Sequence, residues 1–379
     1  MKQTFALIST YSSDEFGICS ALYELGGMVV IHDASGCNST YTTHDEPRWY
    51  DMDSMIYISA LSRNETILGR DSKLIEDIRD TAKKYHPKFI AIVGAPVPYM
   101  IGTDYKAIAK LLEDELNIPG FGFDSNGMQY YTRGMKDAFR AITERFATEK
   151  AQNDENSEDG VIKVNILGAT PLDCGMNGEI ESLKKWIEAR GMKCNCCMAM
   201  GSSLEEIAAA GNADLNLVVS YGGSGAAKIL KDRFQTSYVY GLPTDASFIA
   251  EKIRQKGDPE GKDIVIIGEQ IRSLSLAEAL KDEGIQSRVL CVLDRIRDSR
   301  VNEAGIEFAY TPEEDDIIRE TRAADLVIAD PLYEAVCGKD KLISLPHMAF
   351  SGRIFEKDIP DMIGGGEKLY ARMIKEIKH

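Results

Sequence analysis

The chain has 379 residues, a net charge of −16, 44% apolar and 27% charged residues, a balance ordinary for a globular protein and adverse to a general nucleic-acid-binding surface, which needs a basic face. At roughly 150 residues per domain, two or three domains are expected, each able to bury its own core. No apolar run reaches the length of a membrane span, the start MKQTFALISTYSSDE lacks a signal peptide's long apolar region, and the eight cysteines read as reduced thiols or ligands; a cytoplasmic protein without a membrane or nucleic-acid partner is expected.

In chain order, short apolar strands alternate with amphipathic helices. Strands are expected at 28–33, 55–60, 88–93, 161–167, 192–198, 215–220, 263–268, 288–293 and 324–329, and their nearly continuous apolar character suits buried parallel strands. Tyr105, Ile108, Ala109, Leu112 and Leu116 make one helical stripe; Met135, Phe139, Ile142 and Phe146 make another. The alternation predicts an α/β fold of parallel sheets with right-handed crossovers. Two polar segments, 148–160 and 256–263, read as linkers. They divide the chain into three Rossmann-like domains, 1–150, 161–257 and 261–379, the first with a candidate cluster site.

The stretch from Gly17 to Leu74 carries the most chemistry. Cys37 stands on a glycine turn straight after the strand in MVVIHDASGC, and a second strand, MIYISA, leads into the loop SRNETILGR and a helix. A thiolate at a strand end, where glycine lets the backbone come close to a bound group, suits an iron-sulfur cluster. His32, Gly36 and Cys37 resemble the His-Gly-Pro-x-Gly-Cys element of nitrogenase component 1 proteins, and TILGRDSKL at 66–74 resembles the element that follows it. Further on, VGAPVPYMIGTDYKAIAKLLE at 93–113 is similar to the family's Cys-Pro-x-x-x-Ile-Gly-Asp-Asp segment. FGFDSNGMQYYTRGMKDAF at 121–139 resembles the segment after it, and VNILG, GSSLEEI and LNLVVSYGGSGAAKIL follow in the expected order. That superfamily includes nitrogenase MoFe-protein subunits, their cofactor-assembly scaffolds and the reductases of tetrapyrrole biosynthesis. The resemblance implies its architecture of three Rossmann-like domains.

It also implies cluster cysteines from the first domain of each subunit. Cys37 matches one such position; another falls near Ser12 or Ser13, with Cys19 a few residues later, and the third falls at about Ala95, where there is no thiol. One subunit then cannot supply four cysteine ligands from this region, whereas two subunits at a two-fold axis could, with Cys19 and Cys37 from each. A 4Fe-4S cluster at a subunit interface is the expected cofactor, in a homodimer or in a heterodimer whose paralogous partner supplies the missing ligands. The alternative for Cys19 is a buried helical thiol.

Where the nitrogenase catalytic subunit has the cysteine that holds the iron-molybdenum cofactor, this chain has Ser220 followed by Tyr221, and the cofactor's histidine falls near His347. The resemblance therefore implies no iron-molybdenum cofactor held in that way. The turn GGSG, with Gly223 and Gly225, opens a helix and suits an anionic group such as a substrate carboxylate, or serves only a tight strand-to-helix turn. Lys228 at the third glycine position disfavours a dinucleotide fingerprint. In CNCC, Cys194 and Cys196 share one strand face and Cys197 takes the other, so the three do not converge on one metal. Cys197, nearest the strand's carboxyl end, and Cys174 are candidates for lining a cavity; Cys291 and Cys337 read as core and loop thiols. Tyr221, the GGSG turn and His347 are expected to border one cavity.

There is no Gly-x-x-x-x-Gly-Lys-Ser/Thr loop, so ATP binding through a P-loop is not expected. In the family, ATP hydrolysis belongs to a separate iron protein. The resemblance implies the catalytic component of a nitrogenase-like, ATP-dependent reductase, not a true dinitrogen reductase. It would pass low-potential electrons through an iron-sulfur cluster to a bound substrate, a tetrapyrrole leading, with His347 and Tyr221 as places to seek proton donors. The alternative is a non-catalytic scaffold or carrier for a metallocluster or cofactor.

Overall fold

Three parallel sheets follow one another along the chain. The structure, a computed structural model, describes residues 10–36, 38–148 and 160–378. The first sheet has strands β1 (Met28–Ile31), β2 (Met55–Ile58), β3 (Ile90–Val93) and β4 (Gly120–Phe123) in the order β2-β1-β3-β4. In the second, β5 (Ile162–Leu167), β6 (Met192–Cys197), β7 (Leu215–Val218) and β8 (Ser237–Tyr240) lie in the order β6-β5-β7-β8. The third holds β9 (Ile264–Gly268), β10 (Arg288–Cys291), β11 (Phe308–Tyr310), β12 (Leu326–Ala329) and β13 (Leu342–Ser344), ordered β11-β10-β9-β12-β13.

The expected strands all form, and the central ones are buried along their whole length, as in Met28–Ile31, Leu215–Val218 and Leu326–Ala329. Helices on both faces remove such strands from water, which is why they read as unbroken apolar runs. Every pairing between these strands is parallel.

The helix Tyr131–Phe146 sets the relation between the sheets. It crosses the helix Asp14–Leu22 at two glycines: a Cβ on Gly17 would lie 2.0 Å from the Tyr131 carbonyl oxygen, and one on Gly134 1.9 Å from that of Asp14. Only glycine permits that approach. Beyond the crossing, Thr132 donates its hydroxyl to Asp294, after β10, at 2.8 Å. A second tie is the wholly buried Arg48, paired with Glu46 at 2.6 Å and Glu24 at 3.0 Å, which also donates to the Ala199 carbonyl beyond β6.

The chain's last helix, Glu367–Ile377, packs Leu369 and Met373 with Val164, Leu217 and Val239 of the second sheet. The stretch expected as a third domain, 261–379, thus gives its final helix to the second sheet's core.

Candidate functional site

The carboxyl ends of β5, β9 and β12 meet around an interior pocket of about 60 Å³. Each strand delivers an acid just past its end, where ligands of open α/β sheets bind. After β5, the short turn Pro171–Cys174 presents Asp173. After β9, Glu269 caps the helix Gln270–Asp282, its Oε2 accepting the Arg272 N–H at 3.0 Å and its Oε1 the Tyr221 N–H at 2.9 Å. After β12, Asp330 Oδ2 accepts the His347 N–H at 2.9 Å and the Ser351 hydroxyl at 2.8 Å. The remaining wall is largely apolar, with Leu242, Ile266, Leu276, Leu345, Phe350 and Ile359, so a few polar groups converge in a small apolar hollow with room for a few water molecules or a very small group.

Tyr131 donates to Asp173 Oδ1 at 2.6 Å, and His347 Nε2 lies 3.4 Å from the same oxygen. Asp173 Oδ2 and both His347 ring nitrogens are buried without a hydrogen-bond partner among the described residues, so a bound group or water can complete them. Arg272 is held by Glu179 in a two-pronged pair at 2.7 and 2.8 Å. Burial, and then the charge of Asp173, push the Glu269 carboxyl up to about 8. Burial therefore favours the protonated form of Glu269 near neutral pH.

Tyr221 and the GGSG turn do not share this pocket with His347. Tyr221 and Gly225 line a separate cleft of about 890 Å³ with Lys136, Arg140, Lys228 and Tyr238, whereas His347 lines the interior pocket. The expected common cavity is thus two cavities. The physical reason is the tie from the Tyr221 N–H to Glu269, which places the backbone at the interior wall while the Tyr221 ring meets Lys136 Nζ at 4.7 Å on the other side. Ser220 faces neither cavity: it is fully buried and donates to the Gly168 carbonyl at 2.6 Å. At Gly223 an added Cβ would lie 2.4 Å from the Leu167 carbonyl oxygen, so backbone approach by itself accounts for that glycine.

Cys19 is 0% exposed, and burial raises its thiol well above the ordinary value. Cys197 is equally buried, its N–H donating to Ser202, and it lines neither cavity. Cys174 is buried 3.7 Å from Arg272 Nη1. Cys37 lies outside the described residues. Among the described residues no three His, Cys, Asp or Glu side chains are arranged to hold a metal ion. His32 is kept neutral, its imidazole lowered to about 4 by burial, and shares a 2.8 Å hydrogen bond with Ser59.

The pocket acids Asp173, Glu179, Glu269 and Asp330, with Arg272, were not singled out by the sequence. A signal was present: Glu269 and Asp330 each stand immediately after a buried apolar strand.

Residues 20–252 match the model of the nitrogenase component 1 type oxidoreductase family. The chain is 25% identical to the nitrogenase iron-molybdenum cofactor biosynthesis protein NifE of Clostridium pasteurianum, over 47% of this chain and 38% of that protein. It is 23% identical to the nitrogenase molybdenum-iron protein alpha chain of the same organism, over 43% and 29%. With NifE of Sinorhizobium fredii it shares 24% identity over 59% and 45%. The chain therefore spans less than half the length of these relatives. Among solved structures, nitrogenase Cp1 at pH 6.5 superposes with a TM-score of 0.68 at 15% identity, covering 100% of this chain and 94% of that one, a likeness of fold. No described helix is long and apolar enough to cross a membrane. Since the family model takes in every strand of the first two sheets and the whole three-sheet arrangement has the fold of a nitrogenase component, this chain belongs to the nitrogenase component 1 type oxidoreductase family.

Proposed function

We propose that the chain is a nitrogenase-type carrier or scaffold, which binds a cofactor or metallocluster and passes it on. The observation that carries this reading is the family match over residues 20–252, beside a small pocket at the strand ends with polar atoms that await a partner. Relatives named for iron-molybdenum cofactor biosynthesis support it. The chain's own residues bind and orient: Asp173 and His347 offer free polar atoms, Arg272 is fixed by Glu179, and the apolar wall excludes water.

A second reading, the catalytic component of an ATP-dependent reductase fed by a separate iron protein, with a tetrapyrrole as substrate, is favoured by one observation. Glu269, raised to about 8, holds a proton beside the pocket of His347 and Asp173, and reduction of a bound substrate consumes protons. In either case a homodimer, or a heterodimer with a paralogous subunit, is the proposed assembly and the cytoplasm the proposed compartment.

One experiment separates the two. The protein is purified without oxygen, its iron and any chromophore are measured, and reduced iron protein with ATP is added. Release of an unchanged cargo to an acceptor supports the carrier; conversion of the chromophore, dependent on ATP, overturns it in favour of the reductase.

A further inference from the structure

Two acids from different sheets meet at the interior pocket. Asp173 comes from the turn after β5 and Glu269 from the end of β9, and both line the same hollow of about 60 Å³. Both are buried, at 3% and 1% exposure, and after burial itself the charge of Asp173 is the strongest influence on the Glu269 carboxyl. Arg272 does not neutralise either of them directly: its guanidinium is held by Glu179 at 2.7 and 2.8 Å, and only its backbone N–H reaches Glu269.

The hydrogen bonds around the two acids leave a complementary pair of vacancies. Asp173 Oδ1 accepts the Tyr131 hydroxyl at 2.6 Å, while Oδ2 is buried without a donor. Glu269 Oε1 accepts the Tyr221 N–H and Oε2 the Arg272 N–H, so a protonated Glu269 has an O–H left to donate. Two buried carboxyl groups at one site do not both ionise readily, because each desolvated charge raises the cost of the other. The hollow has room for a water to span them. The remaining titratable groups have other partners or face elsewhere. Asp330 accepts the His347 and Leu332 N–H groups and the Ser351 hydroxyl. His347 Nε2 lies 3.4 Å from Asp173 Oδ1, the oxygen already bonded to Tyr131. Cys174 and Cys291 are buried thiols, their pKa values raised chiefly by burial.

We propose that Asp173 and Glu269 share one proton across the interior pocket, directly or through a single water, and so form a proton-dependent latch between the second and third sheets. Held together, the pair ties the turn after β5 to the end of β9. When the proton passes to a base in solvent or on a bound group, no electron moves, and two carboxylates are left side by side in a poorly solvated hollow. Their repulsion then loosens the Tyr221 turn, whose N–H rests on Glu269. The latch stands on the pocket's geometry and applies whether the chain carries a cofactor or reduces a substrate.

Three measurements on the full chain test it. A crystal structure of the wild type at about pH 6 should show a direct contact or one ordered water between Asp173 Oδ2 and the Glu269 carboxyl. Infrared titration follows the band of protonated carboxyl groups, and the part lost in E269Q belongs to Glu269. D173N, which keeps an acceptor for Tyr131, should lower the pH at which that part disappears by about one unit or more. Amide exchange of the segment 221–225, corrected for the intrinsic pH dependence of exchange, should quicken in the wild type above about pH 8 but not in E269Q, whose amide keeps a neutral donor. Should D173N fail to fold, the wild-type structure and E269Q still decide. If the pH 6 structure shows neither contact nor bridging water, if D173N leaves the Glu269 titration unmoved, or if wild type and E269Q exchange alike above pH 8, the latch is overturned. None of these readouts depends on cargo release or turnover, so the latch and the functional reading fail separately.

Discussion

Tyr131 and Asp173 are joined inside the protein by a 2.6 Å hydrogen bond, with Tyr131 0% and Asp173 3% exposed. The bond fastens the helix that follows the first sheet to the turn that follows β5 in the second. The same helix reaches the third sheet through Thr132 and Asp294 and the cleft through Lys136, so one helical segment positions both cavities. Its anchoring acid is also a pocket acid.

Tyr131→Phe should therefore lower stability by about 1–3 kcal/mol, the cost of leaving a buried acceptor without its donor. Urea denaturation measures it. Asp173→Asn tested alone and together with Tyr131→Phe should give non-additive losses, since the two side chains share one interaction; strict additivity would show that the bond is not formed in solution.

Arg272 and Glu179 make a second buried pair at the pocket, with side chains 16% and 3% exposed. Arg272→Met leaves the Glu179 carboxylate buried and alone, so a loss of about 3–5 kcal/mol is expected. Combining it with Glu179→Leu should restore much of that loss, because an apolar pair spares the cost of burying charge. Equal thermal unfolding of Arg272→Met and wild type would contradict the burial of the pair.

Stability should fall as pH rises between about 4.5 and about 8. Glu269 is raised to about 8, and Glu15 to about 7, each chiefly by burial, from ordinary values of 4.5. Between the unfolded and folded pKa values the native state binds more protons than the unfolded chain. Their contribution is thus fully present below the unfolded value and is lost as pH rises through the folded one. His32, lowered to about 4 by burial, acts the other way, costing stability as pH falls from about 6.5 towards 4. Glu269→Gln should flatten the decline between pH 6.5 and 8, a slope of at most about 1.4 kcal/mol per pH unit for one proton. Denaturant midpoints across that window decide it, and an unchanged slope would mean that Glu269 ionises freely.

Much of the fold was legible because central strands are dry on both faces and so read as apolar runs. The four strands that the sequence did not signal, β4, β8, β11 and β13, all lie at sheet edges. There one side lacks a neighbour, and GFGF, SYVY, FAY and LIS carry glycine, serine or tyrosine in place of an aliphatic run. The site was less legible. His347 and Tyr221 sit at strand ends as their positions implied, but the Tyr221 N–H bond to Glu269 separates them into two cavities, and a contact between residues 48 positions apart leaves no local pattern. The cations of the cleft come from two helices and a loop, none of them remarkable for charge by itself.

The thiols offer a direct chemical check. Cys19 is wholly buried with its pKa pushed up by burial, whereas Cys337 is only partly covered. Alkylation goes through an accessible thiolate, so iodoacetamide should label Cys337 before Cys19 in the folded protein, and peptide mapping by mass spectrometry reads the order. Early loss of the Cys19 thiol would show that its helix opens to solvent.

The glycines between the two cavities separate a backbone role from a ligand role. At Gly223, a Cβ would meet the Leu167 carbonyl oxygen at 2.4 Å and its carbon at 2.5 Å, both rigid strand backbone, whereas at Gly225 the nearest atom is the Lys136 carbonyl oxygen at 3.0 Å, on a neighbouring helix that can shift slightly. Gly69 meets nothing within 4 Å but has φ +59, so an alanine there bears only the left-handed backbone cost of about 1 kcal/mol. Gly223→Ala should then be the most damaging of the three, at about 3 kcal/mol or more, with Gly225→Ala intermediate and Gly69→Ala mild. Thermal unfolding of the three variants gives the order. A Gly223→Ala protein as stable as the wild type, yet unable to retain a ligand in either cavity, would instead assign that glycine to binding.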